Sequence, residues 1–277
     1  MTDKSAILFC IGRELLEGLV LDRNANFLAS HVSNLGYRVR TIQVLDDVEA
    51  EMVAAFRAAL ELKPSVVLTT GGMGPGHEDI TRQALAKAAG VGLHLDQRAL
   101  EMLTVSYRRL FAKGVVDEPT LNETRMRMAH VPEGSICYEN PIGMAPMVRL
   151  KTGTTTWFLL PGVAEEMQRL FHLYVAPVLV AEGGGAVRRS RTIEYPGRDE
   201  SAIARPLAEI TRRHPGVHTH AQVQGSGERL TIQIKLFGES YDERNLSAIL
   251  DRAEHELRAR LGLDAKTAAP RSHETGE

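Results

Sequence analysis

Cysteine is scarce in this chain. Cys10 and Cys137 are the only two, both in apolar runs, and they supply neither a metal-ligand spacing nor a disulfide framework. Both read as buried thiols, which fits a reducing cytoplasm. An excess of either charge is also missing: 33 Lys and Arg against 35 Asp and Glu leave a net charge of −2. That balance argues against nucleic acid or an anionic membrane as the main partner, and Arg188, Arg189 and Arg191 read as a solvated linker or strand edge. No stretch is apolar enough to span a bilayer, and Met1-Thr-Asp-Lys-Ser lacks the pattern of a secretory signal. The expected location is the cytoplasm. There is no internal repeat.

What is present is ordinary for a globular protein, with 43% hydrophobic and 25% charged residues, and 277 residues allow two domains with cores of their own. Ala6–Ile11 reads as a buried strand and Arg13–Asn24 as a charged loop. A helix carries Phe27, Leu28, Val32 and Leu35, and Gly36 stops it. Tyr37–Leu45 alternates as a strand and ends on Asp46 and Asp47. Asp46 with Glu49 forms a capping-box pattern before a helix faced by Met52, Val53, Phe56 and Leu60. The β-α-β-α order predicts a mostly parallel sheet with helices on both faces. Further on, a helix faced by Leu100, Leu103, Tyr107, Leu110 and Phe111 is followed by a hairpin, Met147–Leu150 with Thr155–Leu160, and a helix to Val180. Residues 182–187 read as a linker. A strand at 191–195, a helix at 200–213, paired strands at 217–224 and 229–237 and a helix at 241–261 then predict a small α+β domain. The expected organisation is thus a first domain over 1–181, a second over 188–263 and a disordered tail at 264–277.

The stretch from Val66 to Thr81 organises the rest. An apolar β-prone run enters a loop with Gly71, Gly72, Gly74, Pro75 and Gly76, and Asp79 stands before a helix. Strand, glycine loop and helix start form an arrangement in which backbone N–H groups can face an anion, and glycine lets a phosphate approach closely. Alone, the loop reads equally well as a tight turn that binds nothing.

Three strand-end loops share this chemistry: Thr69-Thr70-Gly71-Gly72-Met73-Gly74 with Asp79, Asn140–Pro146 including Gly143, and Leu160-Pro161-Gly162-Val163. Together with Gly12, Glu14, Asn24 and Asp46, they resemble the molybdopterin-binding (MoaB/Mog-type) domain family, nearest to the amino-terminal part of the CinA proteins. The resemblance runs from Ala6 to Val180 and more weakly through Gly197–Ile203. It implies a three-layer α/β/α domain whose loops bind a pterin or nucleotide through its phosphates, and a homo-oligomer. It also implies phosphoanhydride chemistry, either Mg²⁺-dependent cleavage of ADP-ribose-like dinucleotides or adenylyl transfer to a pterin. By position, Asp46 and Asp79 match the family's acids, which handle the divalent metal and the reacting phosphate. Arg13, Met144 and Ala164 depart from the family pattern. Arg13 replaces a usual acid, which leaves a binding module without turnover as the rival reading. Residues resembling the carboxy-terminal deamidase module of the longer CinA proteins are not found, so nicotinamide-nucleotide deamidation is not expected.

Each residue also has a plainer reading. Taken singly, Asp46 and Asp79 read first as helix caps; what raises the pair is that both stand at carboxyl ends of strands expected to be adjacent, where ligands of open α/β sheets collect. Asn24 and Asn140 either hydrogen-bond a base or ribose or shape turns. Thr70, Pro161 and Gly162 either approach the ligand or punctuate strand ends. His77 reads as a solvated loop residue beside Glu78, and Ser201 has no assigned chemistry. His214, His218 and His220 do not match a common zinc spacing.

Overall fold

The computed structural model describes residues 4–183, 187–226, 230–240 and 242–263. The chain divides into two compact units, Met1–Gly184 and Gly185–Glu277. In the first, β1 (Ser5–Ile11), α1 (Arg13–Leu16), α2 (Arg23–Asn34), β2 (Arg38–Leu45), α3 (Glu49–Leu62), β3 (Val66–Thr70) and α4 (Thr81–Ala89) are followed by β4 (Leu93–Leu95), α5 (Gln97–Ala112) and α6 (Glu123–Met126). Then come β5 (His130–Pro132), β6 (Ile136–Tyr138), β7 (Met147–Thr152), β8 (Thr155–Leu160), α7 (Ala164–Leu170) and α8 (Ala176–Gly183), the last two joined by a π-helical turn over Phe171–Val175.

The main sheet has the order β2-β1-β3-β8-β7-β6. Its first four strands are parallel, and β7 runs antiparallel to both β8 and β6. Every residue of β1, β3 and β8 is buried, as expected of inner strands covered on both faces. Alternate residues serve opposite layers. Ile7, Phe9 and Ile11 join Phe56, Leu103 and Trp157 under α3–α5, whereas Ala6 and Leu8 join Leu28, Phe158, Phe171 and Leu179 under α2, α7 and α8. Each such fully buried aromatic or aliphatic side chain contributes about 1.5–3 kcal/mol. The β2 edge is largely exposed and carries Arg38 and Arg40, which discourages further strand pairing.

Local details differ from the sequence expectations. The stretch from Arg13 to Asn24 contains α1 and the start of α2, whose cap is Asp22 accepting from the Ala25 amide. The capping box of Asp46 does not form: α3 starts one turn-step later, with Val48 at its cap, because Asp46 is held by Arg13 and by the Asp47 amide. The β4–β5 pair is an addition with no clear alternating pattern. Glu182, read as linker, ends α8 and receives a hydrogen bond from Arg149, and Val187 already belongs to the next strand. Residues 184–186, Arg229, Tyr241 and the 264–277 tail lie outside the described residues.

The second unit comprises β9 (Val187–Tyr195), α9 (Ser201–Arg213), β10 (Val217–Gln224), β11 (Thr231–Ser240) and α10 (Glu243–Arg260), with an antiparallel sheet in the order β10-β11-β9. Its core joins Ile193, Ile232, Ile234 and Leu236 to Ile203, Ile210, Leu246 and Leu250 of the helices. Glu256 on α10 accepts from Arg260 and meets His214 at the end of α9. These two partners pull its pKa from 4.5 to about 2. Because the folded-state value is depressed, the contribution is full above about pH 4.5 and is lost as pH falls towards 2. Glu256→Gln is therefore expected to flatten the loss of thermal midpoint between pH 4.5 and 3. Parallel melting curves for the two proteins check it.

Candidate functional site

The carboxyl ends of β2, β1, β3 and β8 bring four loops together, as the topology of a parallel sheet requires. Gly71 turns the chain out of β3 with φ +103°, and a Cβ there would stand 2.1 Å from the Ile11 carbonyl oxygen and would meet backbone that cannot yield. Its N–H donates to the Leu160 carbonyl at 3.1 Å, so the glycine loop is stitched directly to β8. Gly71→Ala is expected to cost about 2–4 kcal/mol through the clash and the positive φ. Urea unfolding measures it, and an unchanged midpoint would contradict the close packing.

Asn24 fixes the opposite wall. Its side-chain amide donates to Thr70 Oγ1 at 3.0 Å and to the Gly162 carbonyl at 2.7 Å, while the Thr70 hydroxyl donates to the Pro161 carbonyl. Asn24 and Thr70 are thus cross-braces between loops. Asn140, 1% exposed, does the same within its own loop. It accepts from the Ile142 and Gly143 amides and donates to the Ala145 carbonyl and, at 2.6 Å, to Glu166 Oε2. Arg109 clamps this loop by donating to the Asn140 and Gly143 carbonyls.

Asp79 folds back into the glycine loop rather than capping α4, whose cap is Ile80. Its Oδ1 accepts from the Gly74 amide at 2.8 Å and its Oδ2 from the Gly76 amide at 2.7 Å. Beneath it, Arg82 is 1% exposed and donates to the Met73 and Gly74 carbonyls. The amides of Gly72 and Met73 find no acceptor among the described residues.

These loops enclose a cavity of about 370 Å³ lined by Gly12, Gly71–Gly74, Pro161 and Gly162 together with five carboxylates: Glu14, Asp47, Glu78, Asp79 and Glu166. Among the described residues, no lysine or arginine lines it. Asp47, not Asp46, faces this space. Asp46 pairs with Arg13 at 3.1 Å, and that hydrogen bond holds its pKa below the ordinary carboxylate range. The strands ending at Asp46 and before Asp79 are also not neighbours, because β1 lies between β2 and β3. Burial raises the Asp47 pKa and the charges of Glu14, Asp46 and Asp79 add to it, with the Arg13 backbone amide opposing. Burial likewise raises Glu166, against Asn140 and Arg109. A second cavity of about 500 Å³ shares Glu14 and Gly162 and is walled by Leu19, Val20 and Leu21.

A probable molybdopterin binding domain is matched over residues 7–181. The chain belongs to this molybdopterin-binding domain family. It is 35% identical over 254 residues to a Pyrobaculum calidifontis protein, covering 91% of this chain and 94% of that one. A CinA-like protein of Myxococcus xanthus is 33% identical over 263 residues, covering 92% of this chain and 59% of its own length. In three dimensions the chain is similar to the crystal structure of CinA from Thermoplasma acidophilum, with a TM-score of 0.57, 32% identity, and coverage of 63% of this chain and 99% of that one. The three strand-end loops all reach the cavity, through Gly71–Gly74, through Met144 and Ala145 and through Pro161–Val163, whereas Asn140 and Gly143 stand behind its lining.

Four residues of the site escape a reading by motif. Asp47 was hidden behind Asp46, and only the register at the end of β2 separates them. Glu166 carried a weak signal in the doubled acid after Leu160-Pro161-Gly162. Arg82 and Arg109 carried none, since each looks like an exposed residue of an amphipathic helix. Among the histidines, His77 pairs with Glu78, His214 with Glu256, and His218 packs against Phe237. No set of three His, Cys, Asp or Glu side chains among the described residues is arranged to hold a metal ion, and no helix among them is long and apolar enough to cross a membrane.

Proposed function

We propose that the first unit is a Mg²⁺-dependent nucleotide pyrophosphatase that cleaves an ADP-ribose-like dinucleotide. The observation that carries this reading is a cavity lined by acids and by the glycine loops, with no cationic side chain among the described residues. A polyphosphate would be repelled there unless a cation entered with it. The donors are hard oxygens, and Mg²⁺ typically takes one or two carboxylates with waters and substrate phosphates, so a ready-made set of three protein ligands is unnecessary. The site's residues fit the ion in that sense: Glu14 would hold it, with Asp79 through the lone pairs that its two loop-amide bonds leave free. When bound, the ion neutralises charge on the phosphates and orients water.

The chain's own groups then divide the work. The unpartnered Gly72 and Met73 amides receive phosphoryl oxygens. Asp47, with its raised proton affinity, takes the proton from the attacking water as the water oxygen bonds to phosphorus and the bridging P–O bond breaks. Asp79 keeps the loop open by holding Gly74 and Gly76. Glu166, fixed by Asn140, lines the same cavity as Met144 and Ala145 and would serve as an acceptor for the ligand's ring. Incubation with ADP-ribose and Mg²⁺ is expected to release AMP and ribose 5-phosphate, and EDTA to stop it.

A binding module without turnover is the second reading. It is favoured by Arg13, which neutralises Asp46, and by the commitment of both Asp79 oxygens to loop amides. Tight nucleotide or pterin binding with no product from any dinucleotide tried would select it. Product appearing only with a pterin phosphate and ATP would select adenylyl transfer instead.

A further inference from the structure

The amino end of the main sheet, at the opposite pole from the acidic cavity, holds a basic one. Its volume is about 590 Å³, and its walls include Lys4, Lys63, Lys151, Ser65 and Thr154. These residues come from just before β1, β3 and β8, from the end of α3 and from β7, so the fold, rather than a local run of sequence, assembles them. One acid, Glu182, shares the cavity, and it is already engaged: Oε1 accepts from Arg149 at 3.0 Å and Oε2 from Thr156. Lys4 is drawn to the Glu182 backbone carbonyl. Lys63 and Lys151 have no acceptor or carboxylate among the described residues, whereas Lys87 of the same unit pairs with Glu49.

The backbone gives a second, independent sign. Lys63 closes α3 with φ 47° and ψ 51°, and among the described residues it is the non-glycine residue with positive φ. Glycine is the favoured occupant of that helix-ending position, and a lysine there is held in a strained conformation. The strain places an unpaired ammonium at the cavity. Compact, strongly hydrated ammonium groups with adjacent hydroxyls suit the oxygens of a phosphate, and the volume is within the range of small-ligand sites.

We propose that this pole is a second binding site, for a small molecule bearing a phosphomonoester or polyphosphate. It is separate from the acidic cavity and stands whether or not that cavity turns over dinucleotides.

Pyridoxal 5′-phosphate is a suitable probe, since its phosphate directs it to such sites and its aldehyde condenses with a nearby lysine amine, releasing water. Borohydride then reduces the imine to a stable label that peptide mapping locates. No lysine among the described residues lines the acidic cavity, so peptide mapping separates labelling of this site from labelling elsewhere. On the full chain, Lys63 and Lys151 are expected to be labelled at least about tenfold faster than the exposed Lys113 and Lys235, with inorganic pyrophosphate protecting them. Lys63→Gly is expected to keep or raise Tm while weakening pyrophosphate protection of Lys151 about tenfold, the worth of one charge-assisted hydrogen bond. Equal labelling of all four lysines, or protection by hexaglutamate as strong as by pyrophosphate, would overturn the proposal.

Discussion

Turnover is expected to fall about 10²- to 10⁴-fold in Asp47→Asn, the range a lost general base commands, with Tm unchanged or slightly raised. The sign follows from the Asp47 environment. Burial and the neighbouring carboxylates raise its folded-state pKa above the unfolded value, so its ionised form is disfavoured by folding at neutral pH. Removing the charge costs no stability there, and any gain disappears as pH falls through that raised pKa. The native acid limb of kcat/KM should lie above the ordinary carboxylate range and should vanish in the variant. Asp46→Asn is the control: its carboxylate pairs with exposed Arg13 outside the cavity lining, so turnover should stay close to native. A pair of variants behaving the other way round, with Asp46 essential and Asp47 dispensable, would sink the assignment.

A stability effect as large as that of Gly71→Ala is expected at Arg82, a residue remote from solvent. Its guanidinium donates to the Met73 carbonyl at 2.6 Å and to the Gly74 carbonyl at 3.1 Å, and burial pulls its pKa down to about 10, with Asp79 opposing the fall. Arg82→Met keeps much of the volume but leaves both carbonyls without donors. Relief of the buried charge offsets part of that loss, and the net cost is expected to be about 2–4 kcal/mol, or a Tm lower by about 5–15 °C for a unit of this size. The guanidinium stays protonated across the neutral range, so the deficit should not vary with pH there. Ligand affinity should fall in parallel, because the same carbonyls hold the loop that presents the Gly72 and Met73 amides. A Tm within a degree or two of native would mean that the loop holds its shape without Arg82.

Much of the fold was legible because it rests on local patterns. The apolar run from Ala6 announced the buried strand β1, the β-prone run from Val66 announced β3, Gly36 marked a helix end, and the β7–β8 hairpin was legible with arms Met147–Leu150 and Thr155–Leu160, the observed first arm running on to Thr152. The capping box at Asp46 was misleading for a physical reason. A cap competes with any other donor the carboxylate can reach, and Arg13, thirty-three residues earlier, is brought to it only by the pairing of β1 with β2. The π-turn at Phe171–Val175 had no signal, since the apolar spacing of an α-helix and of a π-turn differ too little over five residues.

The sequence by itself determined that glycine loops follow buried parallel strands, and that acids stand near them, because glycine content, strand apolarity and loop position are properties of short segments. Only the tertiary structure decided which acid faces the cavity, that Asp79, Asn24 and Asn140 brace the loops with their hydrogen bonds, and that three distant lysines share one concavity. Those outcomes depend on side-chain direction and on partners far away in the chain, and a carboxylate or an amide goes to the nearest complementary group in space, whatever its separation in sequence.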